Sequence, residues 1–128
     1  MATPTNDKSR VLVVDDEPQI TRVLRTVLTS QGYQVQTAGE GQAALANFNE
    51  WHPELVITDL FMPRMDGLEA TKRLRTICPE THVIVLSGLD EDDVAQQARE
   101  AGAHAYLQKG KAHEHVVAAI HAARAPVG

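Results

Sequence analysis

The chain is poor in cysteine, in long apolar runs and in excess positive charge, and each shortage removes a class of protein. Cys78 is the only cysteine, so no internal disulfide can form. The longest apolar runs reach only a handful of residues, against roughly twenty needed to cross a bilayer, so no membrane-spanning helix is expected. The formal net charge of -5 argues against a sequence-independent grip on nucleic acid, which needs clustered Lys and Arg to neutralise phosphates. The first residues do not pair a basic region with an apolar one as a secretory signal does, and the expected location is the cytoplasm. At 128 residues the chain suits a single domain whose core needs no staples. Residues 1–9 are expected to be a flexible tail, and 125–128 a tail or the start of a linker.

What is present is an alternation of short buried strands with amphipathic helices. The first apolar run, Val11 to Val14, stops at Asp15-Asp16-Glu17-Pro18. Pro18 suits a first helical turn, and the acids beside it complement the positive helix end. Ile20, Val23, Leu24, Val27 and Leu28 follow at helical spacing, and Gly32 closes that helix. Tyr33 to Thr37 alternates as a half-exposed edge strand, and a short helix over Ala43 to Phe48 leads to Pro53. The run Leu55-Val56-Ile57-Thr58 then stops at Asp59, before the turn-forming stretch Met62-Pro63-Arg64-Met65-Asp66-Gly67. A helix with Leu68, Thr71, Leu74 and Cys78 runs to Pro79. The run Val83 to Leu86 stops at Ser87-Gly88.

Asp90 reads as the N-cap of the next helix, which carries only Val94, Ala95, Ala98 and Ala101 on its inner side and should be loosely held. Gly102 ends it. A last strand, Ala103 to Leu107, leads to Gln108-Lys109-Gly110, and the final helix points Val116, Val117, Ile120 and Ala123 inward. Five strands alternating with five helices predict an α/β domain with a doubly wound parallel sheet in the flavodoxin-like order 2-1-3-4-5.

In such a sheet the carboxyl ends of the strands share one edge, so Asp15, Asp16, Asp59, Ser87 and Lys109 converge there. Asp59 alone could equally be a turn cap; acids, a hydroxyl and an amine on one rim are harder to ascribe to solvated surface. Crowded carboxylates repel unless they take up protons or share a cation. Oxygen-only ligands favour Mg2+ over zinc. A carboxylate beside such an ion and a Lys ammonium can attack phosphorus to give an aspartyl phosphate.

Val-Val-Asp15-Asp16-Glu17, the stretch Asp59 to Gly67, Ser87-Gly88 and Tyr106-Leu-Gln-Lys109 together resemble the CheY-like receiver domain of response regulators in two-component signalling, over nearly the whole chain. The resemblance implies that Asp59 is the phosphoacceptor, served by a sensor histidine kinase or phosphotransfer protein. It implies Mg2+ ligation by Asp15, Asp16, Asp59 and the Phe61 backbone carbonyl, with Asp15 acting mostly through water. Ser87 and Lys109 would contact the phosphoryl group, and Ser87 with Tyr106 would form the switch. The surface of the fourth helix, fifth strand and fifth helix would then change to control an output domain or downstream protein, with a dimer on phosphorylation as one form of output. Gly110 stands where the family commonly has Pro, and Gly88 where a small residue such as Ala is usual. Two alternatives are a phosphatase of the haloacid-dehalogenase type, which wants an Asp two positions after its nucleophile where this chain has Phe61 or Glu17, and a phosphate-inert receiver scaffold. His113 and His115 lie two apart on a helix and do not face a common ion.

Overall fold

A computed structural model describes residues 10–59, 71–73, 75–76, 81–88 and 92–124. The strands are β1 (Arg10–Val14), β2 (Gln34–Ala38), β3 (Leu55–Asp59), β4 (His82–Ser87) and β5 (Ala105–Gln108). Between them run α1 (Pro18–Ser30), α2 (Gly41–Trp51), α3 (helical at 71–73 and 75–76), α4 (Asp92–Glu100) and α5 (Ala112–Arg124), the last entered through a 3-10 turn at Lys109–Lys111. All strand pairs are parallel, in the order β2-β1-β3-β4-β5. This is the α/β topology that the strand-helix alternation predicts.

The strands β1, β3 and β4 read as unbroken apolar runs because both of their faces are covered. Successive side chains point to opposite faces, so each run feeds two cores. Val11, Val13, Leu55, Ile57, Ile84 and Leu86 pack under Leu24 and Leu28 of α1 and Val116 and Ile120 of α5. Leu12, Val14 and Val56 pack under Ala44 and Phe48 of α2. Each fully buried Leu, Ile or Val contributes on the order of 1.5–3 kcal/mol, so this framework holds the strand ends in place.

Three details differ from expectation. The last strand begins at Ala105 rather than Ala103, because Ala103 N–H is taken by Ala98 O at 3.0 Å in closing α4. β2 runs one residue later than the alternation suggests, because Tyr33 N–H is taken by Leu28 O at 3.1 Å and Gly32, at φ 94°, closes the helix with it. Val23, counted in the apolar stripe of α1, is 43% exposed. Helical spacing gives the direction of a stripe but not its width; Val23 lies at the margin, on a groove of about 280 Å3 shared with Ala112 and His113. Ala98 of α4 meets Val85, Ala103 and Tyr106 in a small cluster. The Asp90 cap, the Cys78 end of α3 and the loop from Met62 to Gly67 lie outside the described residues, and no helix that is described is long and apolar enough to cross a membrane.

Candidate functional site

The register aligns Thr58 with Val14 and Val85, Asp59 with Leu86, and Ser87 with Gln108, so four strands deliver their last residues to one edge. Asp59, the last residue of β3, is 3% exposed, because a strand buried on both faces carries its terminal side chain down with it. Asp15 follows β1 directly and is equally buried; its N–H donates to Ala38 O at 3.0 Å, which extends the β1–β2 ladder by one residue. Its Oδ1 accepts the Glu17 N–H at 2.8 Å, fixing the tight turn into α1. Asp16 is exposed to solvent.

Lys109 reaches this group from the end of β5. Its Nζ donates to Asp59 Oδ2 at 3.0 Å, to Glu17 Oε1 at 2.5 Å and to Asp15 Oδ1 at 3.3 Å. It also lies 3.0 Å from Asp15 Oδ2, a buried oxygen with no well-directed hydrogen bond. Asp15, Asp16, Glu17 and Asp59 each bring a carboxylate oxygen within 4.8 Å of the others. Four carboxylates thus face one ammonium.

The titration shifts follow from that imbalance. Burial pushes the Asp15 carboxyl above its ordinary value, and the neighbouring Asp59 charge adds to this; the Glu17 N–H and Lys109 oppose it without reversing it. For Lys109, burial alone would lower the pKa, but the hydrogen bonds it donates to Glu17, Asp59 and Asp15 outweigh this and hold the ammonium charged well above the usual lysine range.

Ser87 is fully buried at the end of β4. Tyr106 is half-buried, sits across from Val85 and packs with Ala98 and Ala103, on the same sheet face as Ser87 two residues on. Both side chains make contacts within the fold. Gly110 joins Lys109 through a trans bond, since no cis peptide occurs among the described residues, and the 3-10 turn takes over the shape of that loop. A Cβ on Gly88 would meet nothing within 4 Å among the described residues. A cleft of about 220 Å3 lined by Asp15, Asp16, Pro18, Thr21, Thr37, Ala38 and Gly39 gives solvent access to the acids. Phe61 lies outside the described residues.

The residue that sequence reasoning undervalued is Glu17. It reads as an acid complementing a helix start, and it is indeed the N-cap of α1, but its carboxylate makes no capping hydrogen bond and turns to Lys109 instead. Nothing local signals this, because the partner is 92 positions away.

Comparison with known proteins gives a consistent picture. Residues 11–121 match the family model described as the response regulator receiver domain. The transcriptional regulatory protein KdpE of Mycobacterium tuberculosis is 43% identical over 113 residues, covering 88% of this chain and 50% of KdpE. The chain spans half the length of KdpE and 22% of the regulatory protein AtoC of Escherichia coli, to which it is 38% identical over 101 residues. Among solved structures, the chemotaxis protein CheY4 of Vibrio cholerae superposes with a TM-score of 0.84 at 28% identity, covering 90% of this chain and 98% of that one. The BeF3-activated receiver domain of DrrB gives 0.80 at 30% identity, covering 87% and 92%.

Proposed function

This chain belongs to the response regulator receiver domain family, and from that premise we propose that its phosphoryl acceptor is Asp59. The domain is a phospho-accepting signalling module rather than an enzyme, which removes the phosphatase alternative. One observation carries the choice of residue: Asp59 is the buried acid at the end of the central strand β3, 3.0 Å from the Lys109 ammonium, which can balance a phosphoryl group.

An Oδ of Asp59 attacks the phosphorus of a phosphohistidine; the new O–P bond forms as the P–N bond breaks, and the imidazole leaves with the electron pair and takes a proton. Lys109 pairs with the transferred group, and Ser87, at the adjacent strand end, donates to it. The donor set fits a hard divalent ion, because it is all oxygen, already crowded, and includes a buried Asp15 oxygen with no well-directed hydrogen bond among the described residues. Asp15, Asp16 and Asp59 would hold Mg2+, with the Phe61 carbonyl as a further ligand. When bound, the ion would neutralise charge on the carboxylates and on the phosphoryl oxygens.

The output follows from the packing around Ser87. Drawing its hydroxyl toward a phosphoryl group empties space on the face it shares with Tyr106, whose ring is only half-buried and whose neighbour Ala98 is small. The surface of α4, β5 and α5 then presents a different shape to an output domain or protein, or to a second copy of the chain. A sensor histidine kinase is the donor this chemistry calls for. Residues 1–128 act as one receiver unit, working in the cytoplasm.

The test is phosphorylation by acetyl phosphate with Mg2+, read by intact mass. Wild-type protein should gain one phosphoryl group and Asp59→Asn none, while both melt cooperatively. Labelling that persists in the variant would reassign the acceptor. Amide NMR should show residues 87–109 moving in the phosphorylated wild type, and a silent stretch there would remove the switch.

A further inference from the structure

Glu17 is the one member of the acidic group that the phosphoryl chemistry does not call for. Asp15 and Asp59 are held by backbone and strand at 3% exposure, and Asp16 opens to solvent as a ligand. Glu17 stands off the sheet at the start of α1, with a side chain 45% exposed, and it makes the shortest contact with Lys109, 2.5 Å. Among the described residues, its carboxylate otherwise receives only a marginal 3.5 Å contact from Gln19 Nε2 to Oε2. The carboxylate therefore forgoes the exposed N–H groups of its own helix to hold a lysine from the far end of the chain.

An ammonium has three protons, and here three carboxylates take them. For Lys109 to donate to a phosphoryl group, one of those contacts must be released. A divalent ion on Asp15 and Asp59 would neutralise both of these partners, whereas Glu17, which is not needed for that ion, keeps its full charge and its hold. Lys109 can respond because its stem is flexible and only its backbone is fixed, by the 3-10 turn.

We propose that Glu17 is a positioning residue that detains Lys109 in the resting arrangement and competes with the phosphoryl group for it. This rests on the reading of Asp59 and Lys109 given above. Its consequence is a threshold: the domain takes up and retains a phosphoryl group less readily than its acids and lysine alone would allow, and a partner that draws Glu17 away lowers that threshold.

Two substitutions separate this from simpler accounts. Glu17→Gln keeps the length and removes the charge. Glu17→Asp keeps the charge but withdraws it by one methylene, and Asp is a favoured N-cap, so its carboxylate turns to the helix N–H groups and leaves Lys109. The probe is beryllofluoride, a phosphoryl mimic, titrated at saturating Mg2+ and followed by fluorine NMR and calorimetry. Both variants should bind it more tightly than wild type, by roughly two- to fivefold, the scale of a partly exposed ion pair. In Mg2+-free protein, the Lys109 ammonium signal should exchange faster with water in both.

If wild-type protein binds no beryllofluoride, or Asp59→Asn binds it equally, the acceptor reading fails. If wild type binds and Asp59→Asn does not, but the Glu17 variants match wild type or bind more weakly, the acceptor stands and the hold by Glu17 is overturned. A gain confined to Glu17→Gln overturns it as well, since general charge would then be the cause. A change in melting temperature alone, with affinity unmoved, assigns Glu17 to helix stability and also overturns it.

Discussion

At Lys109 a flexible stem brings one positive charge from the end of β5 to carboxylates on two other strands, and without it Asp15 and Asp59 would face each other across a buried gap. Lys109→Met keeps the apolar stem and deletes the charge. In Mg2+-free protein at neutral pH this should cost roughly 1–3 kcal/mol, less than the 3–5 kcal/mol for breaking a fully buried pair, because Glu17 is half-exposed and Asp15 can take up a proton. The sign with pH is fixed by the raised lysine pKa. The contribution of Lys109 is complete below its ordinary 10.5 and is withdrawn only as pH rises through the higher folded value, so it is fully present at neutral pH. Urea melts of the two proteins measure the cost; equal stability would mean the carboxylates are balanced by something other than Lys109. Asp15, Asp59 and Lys109 were legible in the sequence because apolar runs stop at the acids and the last strand runs out at the lysine. Glu17 was not, since its role depends on a contact between chain segments that no local pattern encodes.

Elements were more legible than their edges. Period and length identified the strands, and the two glycine-closed helix ends were visible because only a left-handed residue allows the closure. Gly102, at φ 107°, ends α4 as Gly32 ends α1: Gly102 N–H donates to Arg99 O and Ala103 N–H to Ala98 O, both at 3.0 Å. What the sequence did not reveal is that Gly102 also makes room for another helix. A Cβ there would lie 2.9 Å from Arg75 Cγ, and Arg75 is the side chain whose Nη1 donates to Thr81 O at 3.0 Å just before β4. Gly102→Ala therefore meets two penalties, the left-handed backbone at about 1–2 kcal/mol and displacement of the Arg75 stem. A loss of about 2 kcal/mol is expected in chemical denaturation, with amide exchange rising first in α4 and the start of β5. A neutral outcome would show that the helix end can relax without that geometry. The apolar stripe of α1 was readable in the same way, while its width, and so the exposure of Val23, depended on where α5 lies.

On the scale of the whole molecule, the sheet order decides where charge accumulates. Parallel strands put every carboxyl end on one rim, so a chain with a net charge of -5 gathers four acids there and spends one lysine on them. At the opposite rim Arg10 donates to Trp51 O at 2.7 Å and lies over the Trp51 ring, tying β1 to the end of α2. Repulsion at the acidic rim is thus tolerated by a framework whose two cores are elsewhere, and relieving it should stabilise the entire fold. If Mg2+ binds the native rim and not the unfolded chain, tenfold excess over its dissociation constant adds about 1.4 kcal/mol. For a domain of this size that raises the melting temperature by roughly 4–7 °C. Asp59→Asn should lose most of this increment, since one ligand is gone, and NaCl at matched ionic strength should not reproduce it, since screening acts weakly on buried carboxylates. Equal stabilisation by NaCl would reduce the acidic rim to general screening. An Mg2+ increment undiminished in Asp59→Asn would place the ion away from the proposed acceptor.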